Sequence, residues 1–277
     1  MYAMKEMSKV RIVNKKSVNS VMNERKLLAQ LKHPFLINMF YAFMDQENLF
    51  LVTDLVMGGD LRYHQMKIKH FTEAETQFFV ANIIIGLEYM HNNGVIHRDI
   101  KPENLLLDAD GYLRITDLGI SRVWAPDNAF DTSGTPGYMA PEVMCRQNHG
   151  VAVDYFALGI ITYEFIFGRR PFSGKSRKEI RDQMFNKDIT IRKSNLPSGW
   201  SIEGADFVNK LLNRKPTNRL GFNGPSEVKG HIWLKNIDWQ AIIEKRIKAP
   251  IIPEAKPTSM PKDANADLTE KQKSENG

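Results

Sequence analysis

Along the first 57 residues the spacing of apolar positions changes twice. Residues 2–7 alternate, which predicts a strand. Val21, Leu27, Leu28 and Leu31 then recur at helical spacing among charges, which predicts a helix over 19–31. Residues 40–43 and 49–55 read as two strands joined by the polar turn Asp45-Gln46-Glu47-Asn48. Gly58-Gly59 ends that pattern.

Beyond it the chain reads as mainly helical. Thr72 stands where a helix cap belongs, with Glu75 in capping-box position, and the apolar-rich run continues to His91 before Asn92-Asn93-Gly94 closes it. Short strands are expected at 105–107 and 112–115, turned by Asp108-Ala109-Asp110-Gly111. Residues 121–141 carry few periodic apolar positions, and irregular stretches of that length are usually functional or disordered. Further helices are expected at 153–167, 178–186, 202–212 and 227–231. From Pro250 onward four prolines, no aromatic residue and mixed charge predict disorder from about residue 257. The organisation is a small α/β unit (1–57), a larger helical unit (58–235) and a C-terminal extension (236–277).

Composition narrows the picture. Apolar residues make up 42% and charged residues 25% of 277, the balance of an ordinary globular protein able to bury its own core. The single cysteine, Cys145, excludes an intramolecular disulfide and fits a reducing compartment. The net charge of +6 is spread along the chain among acids, so no nucleic-acid partner is expected. The most apolar stretch, 151–168, contains Asp154 and Glu164 and reads as a buried helix, not a transmembrane segment. The N-terminus is too charged for a signal peptide. A cytoplasmic monomer is expected.

The candidate chemistry sits in the cluster His97-Arg98-Asp99-Ile100-Lys101-Pro102-Glu103-Asn104. Asp117-Leu118-Gly119, Gly134-Thr135-Pro136 and Ala140-Pro141-Glu142 follow, while upstream Lys5 lies on the first strand and Glu24 on the next helix. As an ordered set these motifs resemble the protein kinase family from residue 1 to about 248. The resemblance implies an α+β, bilobal protein kinase fold with a truncated small lobe and a mainly helical large lobe. It implies ATP and Mg²⁺ as cofactors, and protein substrates phosphorylated on serine or threonine, to which Lys-Pro-Glu-Asn points.

By matching position, Asp99 would accept the substrate hydroxyl proton and Lys101 would neutralise the transferring phosphate. Asn104 and Asp117 would be the metal ligands. Lys5 would hold the α- and β-phosphates, aimed by Glu24. Ala3 and Leu106 would sandwich the adenine, Asp54 and Val56 would offer hinge backbone to its edge, Thr53 would be a small gatekeeper, and Asp60 would reach the ribose. Ala3, Thr53 and Leu106 read equally as core packing. Thr135 would pack on Asp99, Glu142 would pair with Arg219, and Asp154 would fix the catalytic-loop backbone. His33-Pro34-Phe35-Leu36 and Ile237-Asp238-Trp239 resemble the AGC group, and Gly58-Gly59-Asp60-Leu61-Arg62-Tyr63-His64 resembles its YANK subfamily. Glu103 and Glu164 match acids that take up arginines upstream of the target hydroxyl, although Glu164 reads equally as a core helix acid.

Three departures stand out. No glycine-rich loop precedes Lys5, which reads as an incomplete chain or as a non-catalytic kinase-fold scaffold, with apolar surface left exposed on the small lobe. Leu118 replaces the usual Phe, a change between apolar residues. Asp131 stands three residues before Gly134, where AGC kinases carry a phosphorylated threonine. An Arg98–Asp131 pair is therefore expected, with Thr132 and Ser133 as candidate phosphosites.

Overall fold

Strand β1 (Tyr2–Ser8) lies at one edge of a three-stranded antiparallel sheet. Its order is β1-β3-β2, with β2 at Met39–Met44 and β3 at Asn48–Asp54. The register sets Lys5 opposite Leu51 and Ala3 opposite Thr53. The computed structural model describes residues 1–68 and 70–254, so the disorder expected from about residue 257 lies outside the described residues. Helix α1 (Lys9–Asn14) was not foreseen; Ser8 caps it and only Ile12 is buried, which leaves no period to read. Helix α2 (Val18–Gln30) packs against β2 and buries Glu24, Leu27 and Leu28. Tyr2, Met4, Phe40 and Tyr41 are exposed on this sheet.

The helical lobe begins with α3 (Leu61–Ile68), also unforeseen, whose buried positions are Leu61, His64 and Gln65. Helix α4 (Glu73–Asn92) starts with the expected capping box: Thr72 N donates to Glu75 Oε2 at 2.7 Å and Glu75 N donates to Thr72 Oγ1 at 3.3 Å. Short strand pairs follow, β4 (Val95–Ile96) with β7 (Arg122–Val123), and β5 (Leu105–Leu107) with β6 (Leu113–Ile115). Helix α5 (Pro141–Met144) leads into α6 (Ala152–Phe167), where every residue from Ala152 to Ile166 is buried. Packing of α6 against α4 and α8 (Ile202–Leu211) forms the centre of the core. Helices α7 (Arg177–Asn186) and α9 (Pro225–Lys229) complete the lobe, and α10 (Trp239–Ile243), which was not foreseen, opens the C-terminal extension. The helix expected at 227–231 starts earlier because Pro225 occupies its first turn, where a missing N–H costs nothing.

The segment after α10 crosses back toward β5 and β6. Tyr112 Oη donates to Ile247 O, and Lys245 pairs with Asp108. Gly111 makes the crossing possible: its φ is +82°, and a Cβ there would meet Ile251 O at 2.0 Å. Gly111→Ala is expected to cost about 2 kcal/mol and to lower Tm by roughly 4–8 °C in a thermal melt. An unchanged Tm would show that this crossing does not constrain Gly111.

Candidate active site

The first requirement is a rigid loop at residues 97–99. Asp154, buried at the start of α6, supplies it. Its carboxylate accepts from His97 N at 2.9 Å, Arg98 N at 2.8 Å and His91 Nε2 at 2.8 Å. Burial alone would raise its pKa, but His91 and the backbone N–H of Arg98 outweigh that and hold the group below the ordinary carboxylate range. Arg98 is thereby kept at φ +69°, a left-handed conformation that tends to persist only where surrounding structure over-determines it.

Asp99 is held from two sides. Oδ1 accepts from Thr135 N at 3.0 Å and Thr135 Oγ1 at 2.7 Å. Oδ2 accepts from Lys101 Nζ at 2.5 Å and Asn104 Nδ2 at 3.2 Å. Lys101 Nζ also donates to Thr135 Oγ1 at 2.8 Å, and Asn104 Nδ2 to Asp99 O at 2.9 Å. Desolvation works against the ionised carboxylate, yet Lys101 and Thr135 prevail and the Asp99 pKa is lowered. Asp117 is exposed at φ +65° and accepts from Gly119 N at 3.3 Å, while the neighbouring Leu118 is buried in the core where an apolar residue was expected.

In the small lobe Lys5 Nζ donates to both oxygens of Glu24, at 2.8 and 2.9 Å. Ala3 is two positions before Lys5 on β1, so both face the same side of the strand. Leu106 forms a bridge with Asp60, whose Oδ1 accepts from Tyr63 N at 2.8 Å. The Asp54 carboxylate is engaged by Asn38 N at 3.0 Å, Asn38 Nδ2 at 2.9 Å and Arg114 Nη1 at 2.8 Å. Asp54 N donates to Asn38 O at 3.0 Å, so its carbonyl oxygen is the backbone group left for a hinge role beside Val56. Among the described residues no hydrogen bond joins Asp117 to Asp99 or to Lys5.

Two residues on α2 that the sequence did not single out tie Glu24's helix to Asp117's segment. Ser20 Oγ donates to Gly119 O at 2.6 Å, and Asn23 Nδ2 donates to Ser121 O at 2.7 Å. Ser20, Asn23, Glu24 and Leu27 follow i, i+3, i+4, i+7 spacing. Polar residues on a buried helical stripe were the available signal.

The expected Arg98–Asp131 pair is present, Nη1 to Oδ2 at 3.2 Å, with Arg122 Nε 3.7 Å from the same oxygen. Arg98 also donates to Ile120 O at 2.6 and 2.8 Å. Asp131→Ala is expected to speed amide exchange across residues 121–134 and to lower activity, each roughly fivefold, as loss of ~1 kcal/mol implies. Both quantities unchanged would remove the ordering role. Glu142 and Arg219 form a fully buried pair at 2.6 and 2.9 Å. Glu103 and Glu164 are both bonded to Arg62, at 3.0 Å and 2.8 Å respectively, and Glu164 is buried on α6, in keeping with its other reading as a core helix acid.

The protein kinase domain family matches residues 1–234, a span that includes every residue named above in the site. The chain belongs to the protein kinase family. It is 38% identical over 257 residues to a probable serine/threonine-protein kinase of Dictyostelium discoideum, covering 92% of this chain and 55% of that protein. It is 35% identical to the cAMP-dependent protein kinase catalytic subunit of the same organism, over 91% of this chain and 38% of that one. To human ribosomal protein S6 kinase alpha-1 it is 37% identical, over 91% of this chain and 34% of the relative. These similarities support a place in the AGC group of serine/threonine kinases. The kinase chain spans between about a third and just over half the length of these curated relatives.

Proposed function

We propose that this kinase domain transfers the γ-phosphate of ATP to serine or threonine hydroxyls of protein substrates, as a YANK-like member of the AGC group. The observation that carries the reading is the Asp99 carboxylate, held between Thr135 and the Lys101–Asn104 pair and kept ionised by them. A carboxylate so placed accepts the proton of an incoming hydroxyl as that oxygen becomes the nucleophile. Lys101, bonded to Asp99 and Thr135 together, stands as a cation beside the same hydroxyl.

The residues present fit ATP with Mg²⁺. Asn104 and Asp117 are oxygen donors of the kind hard cations take, and two such ligands suit a metal that arrives on phosphates. Both amide hydrogen bonds of Asn104 go to Asp99, leaving its carbonyl oxygen for the cation. When bound, Mg²⁺ offsets the charge of the phosphates. Lys5, aimed by buried Glu24, is assigned to the α- and β-phosphates. Ala3 and Leu106 are assigned to the adenine faces, the backbone of Asp54 and Val56 to its edge, and Asp60 to the ribose.

Calorimetric titration with ATP tests the assignment. Wild type is expected to bind ATP more tightly with Mg²⁺ than without. Asp117→Ala is expected to lose most of that difference, and Lys5→Ala to bind about tenfold more weakly with or without metal, a change of ~1.4 kcal/mol. Metal dependence retained in Asp117→Ala would contradict the assignment. No helix among the described residues is long and apolar enough to cross a membrane.

A further inference from the structure

Arg62 lies on α3, yet its guanidinium reaches the catalytic loop and α6. Nε donates to Glu103 Oε1 at 3.0 Å. Nη1 donates to Glu164 Oε1 at 2.8 Å and to Gln65 Oε1 at 2.6 Å. Nη2 donates to Glu164 Oε2 at 3.3 Å and to Tyr138 Oη. The five N–H donors of the fork are thus all engaged. Tyr138 Oη in turn donates to Glu164 Oε2 at 2.8 Å, so both oxygens of this buried carboxylate are taken. Burial works against the charge on Arg62, but Glu164 and Glu103 outweigh it and raise its pKa.

The cluster stands beside the reacting position. Glu103 is four residues beyond Asp99 on the same loop. Tyr138 N donates to Thr135 O at 2.9 Å, and Thr135 is the residue bonded to Asp99. A peptide residue advances the chain by about 3.3 Å, so side chains a few positions from the target hydroxyl reach this cluster. The neighbouring surface is also basic. Arg170 lies over the Tyr138 ring at 5.7 Å, and Arg177 Nη2 donates to Met139 Sδ at 3.3 Å. Among the described residues neither of these arginines forms an ion pair within 4.0 Å.

We propose that Arg62 is a specificity-determining residue that permanently occupies the acidic receptor at the substrate groove, so that the domain does not select sites with upstream arginines. Only the second oxygen of Glu103 is left for an incoming guanidinium, without the bidentate geometry that makes such contacts strong. Removing Arg62 should therefore create an arginine preference where none exists. The proposal rests on the kinase reading for its choice of peptide.

The test is fluorescence anisotropy of two labelled peptides on the 277-residue chain, at physiological salt. Both carry alanine at the target position; one has three arginines upstream and the other three alanines. Wild type is expected to bind the two within about threefold, and Arg62→Ala to favour the arginine peptide by about tenfold. Adding Glu103→Gln to Arg62→Ala should reduce that gain. A wild-type preference of about tenfold for arginine, or an unchanged ratio in a folded Arg62→Ala, would overturn the proposal. If Arg62→Ala does not fold, Arg62→Lys takes its place, because a point cation does not bridge both acids; a gain of about threefold is expected there, and no gain overturns the idea. The serine forms of the peptides with labelled ATP report on the kinase reading separately. Absent transfer with the binding pattern intact would count against that reading alone.

Discussion

Asp99→Asn is expected to lower kcat for phosphoryl transfer by about 10²–10⁴ while leaving ATP affinity within about twofold, because general-base assistance contributes on that scale. The amide keeps the shape of the carboxylate and can still accept from Thr135, so the fold of the loop should survive. What it lacks is the basicity to take the hydroxyl proton and the charge that holds Lys101. A pH profile sharpens the point. The folded pKa of Asp99 is depressed below its ordinary value of 3.8. The carboxylate is therefore ionised throughout the neutral range, and its share of kcat/KM is lost only as pH falls through that depressed value. A kcat for Asp99→Asn within about threefold of wild type would remove Asp99 from the chemistry.

Arg219→Ala is expected to give the largest loss of stability, about 3–5 kcal/mol, because it strands the Glu142 carboxylate in the core. The Arg219 side chain is fully buried, pairs with both oxygens of Glu142, donates to Ala152 O at 3.0 Å and lies over the Phe156 ring at 4.9 Å. A double replacement, Arg219→Met with Glu142→Leu, should recover part of that loss, since it removes both charges from a desolvated place. Urea unfolding compares the three chains. A loss below about 1 kcal/mol for Arg219→Ala would show that the pair is not an anchor.

The parts of the fold that were legible in sequence are those with length or strong local chemistry. Helix α4 announced itself through its capping box, β1 through its alternation, and β2 and β3 through short apolar runs joined by a polar turn. Helix α6 was legible as an apolar stretch with two acids, although a helix buried all round has no amphipathic period. Helices α1, α3, α5 and α10 were missed because each is eight residues or shorter, too few for a helical period to show. In the site, Asp99, Lys101, Asn104, Asp154 and the Lys5–Glu24 pair were legible through ordered motifs. So was Arg98–Asp131, through the distance of Asp131 from Gly134. Arg62 was not: its partners Glu103 and Glu164 lie 41 and 102 residues away, and no local period records such a contact. Sequence reasoning named both acids and missed the cation that fills the space between them.

Phosphate transfer to protein hydroxyls by the residues gathered around Asp99 is open to direct assay. The most direct test is transfer of labelled γ-phosphate from ATP with Mg²⁺ to a generic protein substrate, with acid hydrolysis to identify the labelled residue and Asp99→Asn run alongside. Label on serine and threonine is expected from wild type, with transfer reduced by about a hundredfold or more in the variant. No transfer from a folded wild-type chain that binds ATP would contradict it and favour a scaffold. Transfer undiminished in Asp99→Asn would contradict it equally.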